Sequence, residues 1–181
     1  MPFSFIFSTM KNVDLKSVSK FIEDAKKDET LLRREMKVKV IWNFDENSPQ
    51  MFSELQFPKG KIKLECDGAP FAGGGGRAPN PIQFCLFGMA SCFLGTFAAI
   101  AAEHNLKIDS LEVTAENEVN LKRPLGLSDD PVVEKIKMTI EVKSDEPEEK
   151  INLVKEIAMK RCPAVYCITN PIPLEIDVSK K

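Results

Sequence analysis

Residues 73–92 read GGGGRAPNPIQFCLFGMASC, a glycine run followed by an apolar segment that continues without a charged residue to Ala102. Consecutive glycines adopt backbone conformations that other residues avoid, so the run indicates a loop. Asn80 can cap a helix, and Pro81 suits the first helical position, where a missing N–H costs nothing. The sequence therefore predicts a helix from Asn80 to about His104.

This uncharged helix is long enough to cross a bilayer, which takes about 20 residues. It lacks flanking aromatic belts and a Lys/Arg bias. The segments on either side alternate apolar and polar residues, as strands with one exposed face do. We therefore predict a buried helix and no membrane contact.

A helix that is apolar on all sides must be covered on all sides. In a chain of 181 residues, one small sheet and one further helix are barely enough to cover this helix on all sides. We therefore predict a homodimer in which a second copy supplies part of the cover.

The composition is that of a globular protein, with 43% hydrophobic and 29% charged residues. A net charge of −2 gives no electrostatic reason to bind nucleic acid. Five cysteines are too few for a disulfide scaffold, and their odd number fits a reducing compartment. The N-terminal residues have no basic lead-in and no cleavage site, so we expect a cytoplasmic protein.

The remaining segments predict an α+β fold, because strands and helices do not alternate strictly. Residues 1–35 are expected to form an N-terminal extension with an amphipathic helix over Val13–Lys27, capped by Asn12, and residues 36–181 the main domain. Segments in which apolar and polar residues alternate predict strands with one solvent-exposed face. The predicted strands are 36–42, 51–57 and 61–67 in an antiparallel meander, then 111–121, 133–143 and 172–178, with a helix from Ser144 or Asp145 that ends at Pro163.

The cysteines are the residues with the most evident chemistry. Cys85 and Cys92 share a helix face, but their Cα atoms would lie about 10.5 Å apart, too far for a mutual disulfide, which needs less than about 7 Å. The candidate partners are Cys162 and Cys167. Burial as small apolar residues is the simpler interpretation for Cys85 and Cys66.

A metal site built from His104, Cys162 and Cys167 is a further interpretation of the cysteines. The spacing of the two cysteines is not that of a zinc knuckle, and a single histidine adds little. We therefore predict no metal.

Two motifs resemble the OsmC/Ohr family, which comprises osmotically inducible protein C and the organic hydroperoxide resistance proteins. The first is the stretch at 73–92, and the second is RCPAV at 161–165, about 70 residues later with strands between them. The resemblance extends over residues 36–178. It implies an α+β fold in which antiparallel sheets wrap two central helices in an intertwined dimer.

The resemblance implies a peroxidase that reduces small organic hydroperoxides. Cys92 would attack the peroxide and Cys162 would resolve the product, with an external dithiol as reductant and no cofactor. The chain departs from the peroxidase members at two points. Ile82 replaces their Glu after Asn-Pro, and the loop at 43–51 lacks their Arg. Arg77 and Gln83 are the candidate supporting residues. The alternative is a non-catalytic protein that binds a small apolar ligand at the dimer interface.

Overall fold

The computed structural model describes residue 10 and residues 12–180. Residues 1–9 and 11 of the predicted extension therefore lie outside the described residues. The chain divides into two compact units. The first unit is Val18–Phe87, and the second is Gly88–Lys181 together with the residues up to Ser17.

The N-terminal helix α1 spans Leu15–Lys27. Its cap is Asp14, whose carboxylate accepts the backbone N–H groups of Lys16 and Ser17. The prediction of Asn12 as the cap was therefore wrong, because the carboxylate two residues later satisfies these orphan donors. The predicted apolar stripe is only partly covered. Ala25 is buried, whereas Val18, Phe21 and Ile22 are 40–43% exposed.

The predicted meander is present in the first unit. β1 (Ile41–Trp42), β2 (Met51–Phe57) and β3 (Gly60–Cys66) form an antiparallel sheet in that order. Residues 36–40 were predicted as strand but have no regular structure. Alternation marks two faces of a segment but does not supply the hydrogen-bonded neighbour that a strand requires.

Helix α2 spans Pro81–Glu103, close to the predicted bounds. Its first turn is a reciprocal capping box: Asn80 Oδ1 accepts the Gln83 N–H at 2.9 Å, and Gln83 Oε1 accepts the Asn80 N–H at 2.9 Å. By length and composition alone, α2 is the one helix among the described residues that could cross a membrane. Its C-terminal half, however, supplies much of the core of the second unit.

The second unit packs one hairpin and the C-terminal helices around α2. β4 (Ser110–Asn117) pairs antiparallel with β5 (Ile136–Lys143) over the full length of both strands. Helix α3 spans Glu148–Arg161 and helix α4 spans Pro163–Thr169. The fully buried core side chains come from α2, α3 and the segments that follow them: Phe93, Phe97, Ile100, Ala101, Leu106, Val154, Ala158 and Cys162.

The C-terminal segment departs from prediction in two ways. Pro163 ends α3 as predicted. It also begins α4, since proline is suited to the first position of a helix, and this second helix was not predicted. Residues 172–178 were predicted as a strand and have no regular structure. Leu174, Ile176 and Val178 are 79–95% exposed. The strand prediction was wrong for the described chain, in which this segment has no partner strand.

Candidate thiol site

The structure brings Cys92 and Cys162 together, although they are separated by 70 positions in the chain. Their sulfur atoms lie 3.6 Å apart, and both thiols are free. Cys162 is 1% exposed, whereas Cys92 is half-buried. A disulfide bond is about 2.05 Å long, so closing this pair requires the two sulfur atoms to approach by about 1.5 Å.

Helix α2 and the junction of α3 and α4 position this pair. Cys92 lies in the middle of α2, where its carbonyl accepts the Thr96 hydroxyl at 2.9 Å. Cys162 occupies the break between α3 and α4, with extended backbone because the following Pro163 disfavours helical dihedrals. An ion pair at 2.9 Å between Glu103 and Arg161 joins the C-terminal ends of α2 and α3. The two sulfurs are therefore held by packed helices rather than by loops.

Burial raises the pKa of the Cys92 thiol, and the neighbouring sulfurs of Cys162 and Cys167 raise it further. The backbone N–H of Ala164, at the start of α4, bonds to Cys92 and acts in the opposite direction. A hydrogen bond to the charged form favours that form. The site therefore contains one donor that favours the Cys92 thiolate, opposed by desolvation and by two sulfur neighbours.

Arg77 lies in the first unit, in a loop held by a buried carboxylate. Asp67 is 0% exposed, and its two oxygens accept the backbone N–H groups of Arg77 at 2.9 Å and Gly75 at 3.3 Å. These bonds lower the pKa of Asp67, the Arg77 N–H contributing most. The loop must be glycine where it folds on itself, because a Cβ on Gly74 would overlap the carbonyl of Gly68.

The Arg77 guanidinium lies over Gly75, where a Cβ would overlap it. Its charge also contributes to the lowered pKa of Asp45, after hydrogen bonds from Ser48 and Asn47. Its proposed role towards the Cys92 thiolate stays a prediction. Gln83 has an observed role as the partner of the N-cap Asn80 in the capping box of α2. Ile82, at the position of the family Glu, offers no acid–base group.

The remaining cysteines occupy other positions. Cys85 is exposed on α2, and Cys66 is half-buried at the end of β3 rather than part of the core. Burial raises the pKa of the Cys66 thiol, with smaller contributions from Asp67 and Cys85. In the part of the chain that the structure describes, no three His, Cys, Asp or Glu side chains converge to hold a metal ion.

Two groups of functional interest were missed by sequence reasoning. The Ala164 N–H is a backbone donor and has no signature in residue type. Asp67 follows β3 directly and precedes the glycine run. An acidic residue at that junction is a signal for a loop anchor, because a carboxylate can accept several of the N–H groups that a tight glycine loop leaves without partners.

Comparison with known proteins identifies the fold. The fold is similar to that of an OsmC-like protein from Mycoplasma pneumoniae, with 19% identity over 75% of this chain and 88% of the other, at a TM-score of 0.57. The organic hydroperoxide resistance protein OsmC of Legionella pneumophila is similar at 17% identity over 75% and 91%, with a TM-score of 0.51. An OsmC-like protein of unknown function from Vibrio cholerae gives 17% identity over 74% and 92%, with a TM-score of 0.51.

These structural similarities show an α+β fold with antiparallel sheets, as the sequence predicted. None of the curated proteins matches the chain. The sequence pattern of the family described as OsmC-like protein matches residues 73–177, which is more than half of the chain. The chain therefore belongs to the OsmC family.

Proposed function

We propose that the chain is a thiol peroxidase that reduces organic hydroperoxides through Cys92 and Cys162. The observation that carries the proposal is the 3.6 Å separation of their sulfurs, with Cys162 buried beside the more accessible Cys92. An accessible thiol next to a buried one matches the roles of an attacking and a resolving cysteine. Similarity to the Legionella organic hydroperoxide resistance protein supports the same substrate class.

The reaction has two steps at the thiol pair. The Cys92 thiolate attacks one peroxide oxygen, the O–O bond breaks, and the alkoxide leaves as an alcohol with the proton that the thiol gave up. Cys92 is then a sulfenic acid. The Cys162 thiol attacks this sulfur, the S–O bond breaks, water leaves, and a Cys92–Cys162 disulfide remains. An external dithiol reduces the disulfide and returns both thiols.

The surroundings of the pair support an organic rather than an inorganic peroxide. Cys92 lies on an apolar helix, and Phe93 and Phe97 belong to the adjoining core. Burial of an apolar substituent of the peroxide against such a surface makes the free energy of binding more favourable by about 25 cal/mol per Å². We expect cumene hydroperoxide to react faster than hydrogen peroxide.

The working form in this proposal is a cytoplasmic homodimer. The support comes from α2, which leaves Phe87 70% exposed and has open space beside Gly88 and Gly95. Small residues on one helix face allow a second helix to approach closely, and burying Phe87 favours association. A reducing compartment would also keep the two thiols ready for the next turnover.

The alternative function, a non-catalytic protein that binds a small apolar ligand at the dimer interface, has a specific observation in its favour. The pKa of Cys92 is raised, and a thiol is a poor nucleophile when it is protonated. Ile82 in place of the family Glu points the same way. Binding without turnover requires only the apolar surface, and it does not require Cys92 to ionise.

Turnover separates the two functions. Consumption of cumene hydroperoxide in the presence of excess dithiothreitol is followed for wild type, Cys92→Ser and Cys162→Ser, with Cys85→Ser as the matched control for an exposed cysteine. The peroxidase proposal expects loss of consumption in Cys92→Ser and no change in Cys85→Ser. If wild type and Cys92→Ser consume peroxide at the same rate, the proposal is wrong and the binding function is preferred.

A further inference from the structure

A third cysteine lies beside the buried pair. Cys167 lies on α4, five residues after Cys162, and its side chain is exposed, whereas Cys162 is almost completely buried. The mechanism above uses only Cys92 and Cys162. It leaves open how a dithiol from outside reaches a disulfide that contains a sulfur with 1% exposure.

The geometry of α4 brings Cys167 close to Cys92. Cys162 directly precedes α4 and its sulfur lies 3.6 Å from that of Cys92, so the start of α4 lies beside the Cys92 sulfur. Ala164 and Cys167 are three residues apart on one helix, so they share a face and their Cβ atoms lie about 5–6 Å apart. Helical side chains tilt towards the N-terminus, which directs Cys167 towards the end of α4 that touches Cys92.

The second half of α4 is the exposed part of the site. Ala164 and Val165 pack against the core, whereas Tyr166, Ile168 and the residues beside them are exposed, with values of 61% for Tyr166 and 45% for Ile168. A single short helix of seven residues has little stability of its own. A local shift of this turn therefore costs less than a movement of α3, which would displace the buried Val154 and Ala158.

We propose that Cys167 is an outer thiol that takes over the disulfide from the buried pair and presents it to the reductant at the surface. This inference rests on the proposed peroxidase function. The Cys167 thiolate attacks the Cys92 sulfur, the Cys92–Cys162 bond breaks, and a Cys92–Cys167 disulfide forms. Cys162 leaves as a thiolate and takes the proton that Cys167 gave up. The exchange needs no oxidant, and the external dithiol then attacks the exposed sulfur.

The test forms the disulfide without peroxide, so that a failure of the peroxidase reaction does not hide the exchange. Full-length protein is oxidised with one equivalent of diamide, quenched in acid at intervals, and mapped by peptide mass spectrometry. Its reduction by dithiothreitol is then timed for wild type and Cys167→Ser. Cys85→Ser is the control for an exposed cysteine outside the pair, and Cys167→Ala repeats the test with a second side chain.

The expected result is a Cys92–Cys162 link that forms first and a Cys92–Cys167 link that follows it. Reduction should slow by at least about tenfold in both Cys167 variants, because the remaining disulfide contains the buried sulfur. Cys85→Ser should be reduced like wild type. The proposal is overturned if no Cys92–Cys167 peptide forms in wild type, or if the Cys167 and Cys85 variants are reduced at the same rate. Failure of the peroxide reaction alone would count against the proposed function and not against the exchange.

Discussion

Oxidation of the Cys92–Cys162 pair should stabilise the fold by an amount that the structure allows us to work out. The bond would close a loop of about 70 residues. In the chain-entropy description, such a closure reduces the conformational entropy of the unfolded chain and thereby raises its free energy by about 4 kcal/mol. A 3.6 Å starting distance between the sulfurs requires only a small shift of the two helices, so most of this stabilisation should be retained.

The assay is guanidinium unfolding followed by circular dichroism at 222 nm, at one fixed protein concentration. For a chain of this size, a gain of about 4 kcal/mol moves the midpoint upward by about 1 M. The oxidised and the dithiothreitol-treated wild type are compared, with Cys92→Ser as the control that cannot form the bond. Equal midpoints for the two wild-type forms would refute the reasoning, as would an equal upward shift in Cys92→Ser.

Three further predictions follow from the site and its surroundings. Equilibrium sedimentation at micromolar concentration should give about twice the chain mass of 20.3 kDa, and a well-folded monomer would contradict the dimer. Because burial raises the pKa of Cys92, the rate of its alkylation by iodoacetamide should rise about tenfold per pH unit from pH 7 to 8. The hypothesis that Arg77 stabilises the Cys92 thiolate expects the same rise to occur at higher pH in Arg77→Ala, and an unchanged profile would reject it. The folded-state pKa of Asp67 is lowered, so its contribution to stability is complete above about pH 4 and is lost as the pH falls further. The urea midpoint of Asp67→Asn should therefore vary less between pH 5 and 3 than that of wild type, and an equal variation would exclude Asp67 as the cause.

Local signals in the sequence were sufficient to predict the elements whose ends they mark. The Asn80 and Pro81 pair set the start of α2, because this signal acts within a few residues. Residues 172–178 show the limit of this reasoning. Their alternation is that of a strand, yet a strand forms only where another segment offers its N–H and C=O groups.

The candidate site was predictable only in part, since its geometry depends on contacts between distant segments. The spacing of Cys85 and Cys92 excluded their mutual bond, but it left Cys162 and Cys167 open as partners. The resemblance to the OsmC/Ohr family favoured Cys162, and the structure brings its sulfur to Cys92. The Ala164 donor depends on where α4 begins, and that helix follows from a proline whose second role was not recognised.

The most direct test of the account is the rate of thiol loss at Cys92 when cumene hydroperoxide is added without any reductant. Wild type and Cys92→Ser are mixed with one equivalent of peroxide, and free thiols are counted over time. The account predicts rapid loss of two thiols per chain in wild type, mapped first to a Cys92–Cys162 disulfide, and no rapid phase in Cys92→Ser. Equal, slow loss in both proteins, or a first link that contains Cys85, would contradict it.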